Sequence, residues 1–238
     1  YKNSNSICDK SIDWGTLKNH TILADENDFR FSLHAQGDGA IYKCLEIFNE
    51  CKKDENGKLI NRHSITDLEY SDSYDYKKMG ELGVVAEIYP QIMSLYSQQE
   101  KLDTIDLKLG VDRRKDYWNR RDMVDNNVIV SCATDLPLLY DNIPNSIYHS
   151  VYNLFLDSNT PFNPQNALTI TELLKAWTVN GQYNLNRENI LGSLEIGKLA
   201  DITVLSENIF NTNPSNLKNV YVISTIFDGK IVYEKKSL

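Results

Sequence analysis

A parallel α/β sheet wrapped by helices, followed by a small β unit, is the fold class that this sequence predicts. Two observations predict it. Four strand-like apolar runs, over residues 29–35, 59–67, 84–89 and 127–134, alternate with segments that carry helix signals, and that alternation builds parallel sheets. After Gly192 the pattern changes to short strands and turns, closing with two β-prone runs joined by Asp228-Gly229. Four βα units are half of an eight-stranded barrel, which typically takes about 250 residues. The chain of 238 residues therefore reads as half a barrel over 1–190 and a small β unit over 191–238.

The elements follow in order. Lys18–Glu26 leads as a helix into Phe29–Ala35, read as a buried strand with Arg30, Ser32 and His34 between Phe29, Phe31 and Leu33. Gly37 and Asp38 turn the chain into a helix over 40–52 with apolar residues at helical spacing. Leu59–Asp67 is the next strand, and alternation puts His63, Ile65 and Asp67 on one face. A short polar helix over Ser71–Gly83 turns Met79 and Leu82 inward, and Val84–Tyr89 is a third strand stopped by Pro90. A long irregular or helical insertion rich in Gln, Ser and Tyr precedes a helix over Tyr117–Asp125. Asn127–Thr134 is the fourth strand, ending at Asp135 before Pro137. Ile147–Leu156 is helical, and Thr169-Ile170-Thr171-Glu172 is a capping box ahead of Leu173–Trp177. Leu199–Leu205 is a strand, and Val220–Phe227 pairs with Lys230–Tyr233 as a hairpin.

Composition narrows the function. A net charge of -8 with no basic run argues against a nucleic-acid partner. No apolar stretch approaches the length of about 18 residues that a membrane span needs. The four cysteines, Cys8, Cys44, Cys51 and Cys132, have no metal or redox spacing; Cys44 and Cys132 read as small core residues. A chain opening on Tyr1 reads as a processed, cleaved or truncated product.

The candidate chemistry starts at His34, where a strand meets a βα-loop, the place where α/β barrels keep their reactive groups. The competing reading is a satisfied core histidine. Asp135 is a carboxylate placed in the same way on the last strand. Asp67 also ends a strand, with His63 about 13 Å deeper at roughly 3.3 Å per residue, so those two do not share an ion. Other residues take the structural reading. His20 and His149 are surface or packing groups, His63 sits in the barrel interior, and Tyr89 and Trp177 are core. Asp38 braces its loop. Arg120 and Arg121 are solvated, with orientation of a substrate carboxylate as the alternative.

These segments resemble the C-terminal half of the amidohydrolase superfamily, in its amidohydrolase-3 branch of metal-dependent hydrolases. His34-Ala35-Gln36-Gly37-Asp38 resembles the family's His-Ala-x-Gly-Asp at barrel strand 5, and Arg62–Asp67 its Arg-His-x-Ile-Glu-His at strand 6. Leu82–Pro90 resembles strand 7, and Thr134-Asp135-Leu136-Pro137 the Ser-Asp-x-Pro of strand 8. Gly192–Asp201 matches Gly-Ser-Leu-Glu-x-Gly-Lys-x-Ala-Asp almost letter for letter, marking the return from barrel to sandwich.

The resemblance implies strands 5–8 of a TIM-type (β/α)8 barrel followed by part of a small β-sandwich. It implies hydrolysis of a C–N bond in a small amide or cyclic amide by metal-activated water. His34, Asp67 and Asp135 are the implied metal ligands, and Asp135 is the implied catalytic proton carrier. The implied cofactor is a divalent metal: zinc, with Mn or Fe as alternatives. Two departures stand out. The His-x-His of strand 1 and the bridging residue of strand 4 are absent. Thr66-Asp67 stands where the family has Glu-His, and Arg62-His63 pins that register. Asp67 is then either a retained carboxylate ligand or a lost one. The chain by itself is expected to be inactive and cytoplasmic, and to need an N-terminal half, a second chain or a second copy. The alternative function is a non-catalytic amidohydrolase fold with an eroded metal site, kept for binding or assembly.

Overall fold

The computed structural model describes residues 12–90, 97–135 and 143–236. Tyr1, Cys8 and the Leu136-Pro137 half of the last strand's motif lie outside the described residues. The order is α1 (Trp14–Glu26), β1 (Ser32–Ala35), α2 (Asp38–Phe48), β2 (Ser64–Asp67), α3 (Ser73–Leu82), β3 (Val85–Ile88) and α4 (Gln98–Lys108). There follow α5 (Arg120–Asp125), β4 (Val130–Cys132), α6 (Ile143–Tyr152), α7 (Ile170–Trp177), α8 (Val179–Asn184), β5 (Ile202–Leu205), β6 (Val222–Phe227) and β7 (Lys230–Glu234). Short 3-10 helices at Val111–Asp116, Pro164–Asn166 and Pro214–Asn219 join them.

Local chemistry explains the boundaries. Asp13 caps α1 by accepting from the Thr16 N–H at 3.0 Å, and Asp72 caps α3 by accepting from the Tyr74 and Asp75 N–H groups. Thr169 and Glu172 form the expected capping box at α7, and Ser97 and Glu100 form a second at α4. Gly80 of α3 lies against the α5 end so closely that a Cβ would come within 1.9 Å of the Asn126 carbonyl oxygen. The β6–β7 hairpin turns at Asp228 (φ 47°) and Gly229 (φ 73°), the two left-handed positions of a type I′ turn.

β1–β4 form one parallel sheet in sequential order, and β5–β7 form a separate antiparallel sheet. The chain is thus a mixed α/β fold with a parallel sheet. One face of that sheet is apolar. Leu33, Ala35, Ile65, Ala86, Ile88 and Val130 pack on Ile41 and Phe48 of α2, Met79 and Leu82 of α3, Met123 of α5 and Leu173 of α7. The other face is polar, and the register aligns His34, Thr66, Glu87 and Ser131 in one cross-strand row. The small sheet is tied down through α6, whose Ile147 shares a cluster with Ile209, Leu217 and Val220.

Three expectations change. β1 is shorter than Phe29–Ala35, Phe29 is largely exposed, and only every second residue is buried, because the strand's polar face is uncovered. The strand expected over Leu59–Asp67 begins only at Ser64, since Arg62 takes a left-handed φ of 50°. His63 faces the helices, not the barrel interior: its ring stacks on Phe48 at 4.9 Å.

Candidate metal centre at the strand ends

His34 and Asp67 are brought together where β1 and β2 end. His34 Nε2 lies 3.1 Å from Asp67 Oδ2. Alternation alone would have turned Asp67 to the helix side with His63 and Ile65. Left-handed backbone at Asp67 (φ 84°) and Leu68 (φ 53°) breaks the alternation and swings the carboxylate toward His34. Gln36 Nε2 donates to the same Asp67 oxygen at 2.6 Å. Burial pushes the Asp67 carboxyl above its usual range, with the Gln36 bond opposing and the Glu69 charge adding to the rise. His34 is 63% exposed and Asp67 only 7%, so the pair is anchored on one side and open on the other. A nitrogen and a carboxylate oxygen at this separation suit a divalent ion.

Thr66 occupies the next position on the polar row. Its Oγ1 lies 2.6 Å from the Tyr89 hydroxyl, just beyond β3. Burial, then the charges of Asp135, Asp67 and Glu87, push the Tyr89 hydroxyl upward, with the Thr66 bond opposing. Tyr89 therefore sits within electrostatic reach of both Asp67 and Asp135. Asp135, half-buried with φ 54°, follows β4, two strands away from Asp67.

Glu87 of that row reaches down to a polar floor at the strand starts. Glu87 accepts from Ser32 Oγ at 2.6 Å, Ser64 Oγ at 2.9 Å and Asn184 Nδ2 at 2.6 Å, and pairs with Arg30. Burial opposes its ionisation, but these donors outweigh it and hold Glu87 below the usual carboxylate range. Arg30 also donates to Asn184 of α8, and Asn184 reaches Ser131 at 3.2 Å, so one side chain spans β3 and β4.

The remaining candidates are structural. Neither arginine is solvated as expected: Arg121 makes a two-pronged pair with Glu172 at 2.8 Å, and Arg120 is buried beside the Trp118 ring. His149 lies 3.0 Å by Nδ1 from the Leu154 carbonyl oxygen. Asp38 accepts from the Gly39 N–H, the loop brace that was expected. Tyr89 is half-exposed at the strand ends rather than core. Its alternation with Glu87 was the available signal, because both fall on the polar face.

One group of three metal-type donors lies together among the described residues: Asp25, Cys51 and His63, all buried. Hydrogen bonding sets its state. The Phe31 N–H donates to His63 Nδ1 at 3.0 Å, so that nitrogen carries no proton. The proton is then on Nε2, which donates to Asp25 Oδ1 at 2.9 Å and leaves no lone pair there for an ion. Asp25 also accepts from the Lys52 N–H and from Asn61. This group fastens α1 to the base of β2.

The amidohydrolase family model matches residues 7–233, and the chain belongs to that family. It is 26% identical over 218 residues to the protein LONG AFTER FAR-RED 3 of Arabidopsis thaliana, covering 91% of this chain and 36% of that protein. It is 24% identical to an N-substituted formamide deformylase of Arthrobacter pascens, covering 90% of this chain and 38% of that enzyme. The chain thus spans less than half the length of these relatives. A metal-dependent hydrolase of Pyrococcus horikoshii shares the fold, with a TM-score of 0.69 at 16% identity over 86% of this chain and 39% of that one. No helix among the described residues is long and apolar enough to cross a membrane.

Proposed function

We propose that the protein carrying this chain is a metal-dependent amidohydrolase that cleaves a C–N bond in a small non-peptide amide or cyclic amide. The observation that carries this reading is the meeting of His34 and Asp67 at the strand ends, 3.1 Å apart. β1–β4 are taken as strands 5–8 of an eight-stranded barrel, and β5–β7 as part of a composite sandwich. The first four strands come from an N-terminal half, a second chain or a second copy.

His34, Asp67 and Asp135 would hold a divalent ion, which supplies a Lewis acid that makes water nucleophilic near neutral pH. Gln36 orients Asp67. Asp135 takes a proton from the attacking water and passes it to the leaving nitrogen. Zinc suits the donor set. Two carboxylates to one imidazole move the preference toward harder ions such as Mn, with Fe as the other alternative. The deformylase relative supports N-substituted formamides as the first substrates to try.

The test is the full-length protein, loaded with Zn, Mn or Co, against a panel of N-acyl and cyclic amides. Hydrolysis of at least one is expected, and hydrolysis of none sinks the reading. Thr66-Asp67 in place of Glu-His motivates the second reading, an eroded, non-catalytic site. That reading expects Asp67→His to change neither metal content nor activity. A clear gain in tightly bound metal counts against it.

A further inference from the structure

We propose that the Tyr89 hydroxyl is the hydrogen-bond donor for the substrate's carbonyl oxygen as it becomes an oxyanion, with Thr66 as its positioning residue. This rests on the amidohydrolase reading and adds a catalytic residue to it.

The placement comes from the sheet. Val85, Glu87 and Tyr89 alternate onto the polar face, and Tyr89 is the one that lies beyond the strand end. Its hydroxyl lies 2.6 Å from Thr66 Oγ1, and Thr66 is the direct cross-strand partner of His34. β3, which Tyr89 follows, lies between β2, which ends at Asp67, and β4, which Asp135 follows, so the phenol stands between the strand ends that carry these two proposed ligands. A phenol, with its ordinary pKa of about 10, is protonated near neutral pH, so it is a donor there.

Two hydroxyls in one hydrogen bond use only one of their two protons. When Thr66 donates to the Tyr89 oxygen, the phenolic proton is free for a ligand. Other nearby donors are committed. Gln36 Nε2 is on Asp67, and Arg30, Ser32, Ser64 and Asn184 are on Glu87. A donor at this place stabilises the oxyanion that amide hydrolysis forms. The water oxygen bonds to the carbonyl carbon, and the C=O electron pair moves onto oxygen, where the Tyr89 O–H meets it without giving up its proton. The pair then returns, the C–N bond breaks, and nitrogen leaves with the proton taken from water.

The experiment uses the full-length protein and its Tyr89→Phe and Thr66→Val variants, each checked for an unchanged melting temperature. Two probes are compared: planar N-benzylformamide, followed by turnover and binding, and a tetrahedral N-benzyl methylphosphonamidate, followed by calorimetric binding. Tyr89→Phe is expected to lower kcat by about 10²–10³-fold with KM nearly unchanged. It is expected to weaken the phosphonamidate by a similar factor while sparing the formamide, and Thr66→Val should do the same more mildly. Wild-type kcat and phosphonamidate affinity in Tyr89→Phe overturn the proposal, as does a wild-type protein that does not prefer the tetrahedral probe. A protein that hydrolyses nothing, yet loses its phosphonamidate preference in Tyr89→Phe, keeps this inference and removes the hydrolase reading instead.

Discussion

Asp67 is the residue on which the site turns, and its backbone decides its role. Asp tolerates left-handed conformation better than most side chains, but no pattern in the sequence announces φ at a given Asp. That is why strict alternation assigned Asp67 to the wrong face while its candidacy as a site residue was still legible from its strand-end position. Tyr89 was misread for a different reason: an aromatic beside Ile88 and Pro90 looks like core when the polar face is not known to be open. Gln36 has no role legible from its motif, and the structure supplies one: its side chain donates to Asp67. A side chain that fixes a ligand's orientation typically carries about 10–100-fold of metal affinity. Gln36→Leu should therefore weaken metal binding by that factor in a chelator competition on the full-length protein. Unchanged affinity would take Gln36, and with it the Asp67 geometry, out of the proposed centre.

Among the elements, the strands and capped helices were readable because their signals are local. The Thr169–Glu172 box and the Asp228-Gly229 turn appear where their residue types require them. α4 was read only as an irregular or helical insertion, since Lys, Asp and Gln dilute its apolar residues, of which Ile105 is buried with Leu102 packed beside its cluster. Its attachment is tertiary: Lys101 pairs with Glu69 at 2.9 Å and lies over the Tyr117 and Trp118 rings.

The fastening of α1 gives a pH prediction. Burial, opposed by the Asp25 bond, holds His63 below its ordinary 6.5, and burial does the same to His149 in α6. Both rings are harder to protonate folded than unfolded. Their contribution is complete above about pH 6.5 and drains as pH falls, because the unfolded chain takes up the protons first. Asp25 is also depressed, so its share is lost only on going below 3.8. In chemical melts at pH 7.5 and 5.0, the change on acidification should be less unfavourable in His63→Gln than in wild type and least unfavourable in His63→Gln/His149→Gln, against a shared opposite contribution from Asp75, which burial pushes up to about 6. Equal slopes in all three would place the acid sensitivity elsewhere.

At the scale of the whole molecule the two sheets differ in how well they are covered. The parallel sheet buries its apolar face, with Cys132 of β4 partly exposed. β7 buries nothing: Ile231 and Val232 are each 62% exposed, and Phe227 at the turn is 63% exposed. Exposed strands with apolar side chains and free edges pair with other chains. The chain studied alone should self-associate with rising concentration in sedimentation velocity, and Ile231→Lys/Val232→Lys should reduce that association. Association that ignores both substitutions would mean that another surface drives it. This openness was not legible beforehand, because the same alternating pattern describes a covered strand and an uncovered one.

The floor beneath the polar row has a consequence in time. Arg30 and Asn184 are 154 residues apart, and Asn184 is 97 residues from Glu87. Neighbouring strands can zip in sequence, each closing a modest loop, whereas this knot waits until the chain from α1 to α8 is in place. Asn184 should therefore be absent from the rate-limiting ensemble of folding. In stopped-flow refolding and unfolding, Asn184→Ala should quicken unfolding and leave the refolding rate nearly untouched. The last tie to form would then be the first to let go, and the row carrying His34 and Thr66 would loosen from beneath.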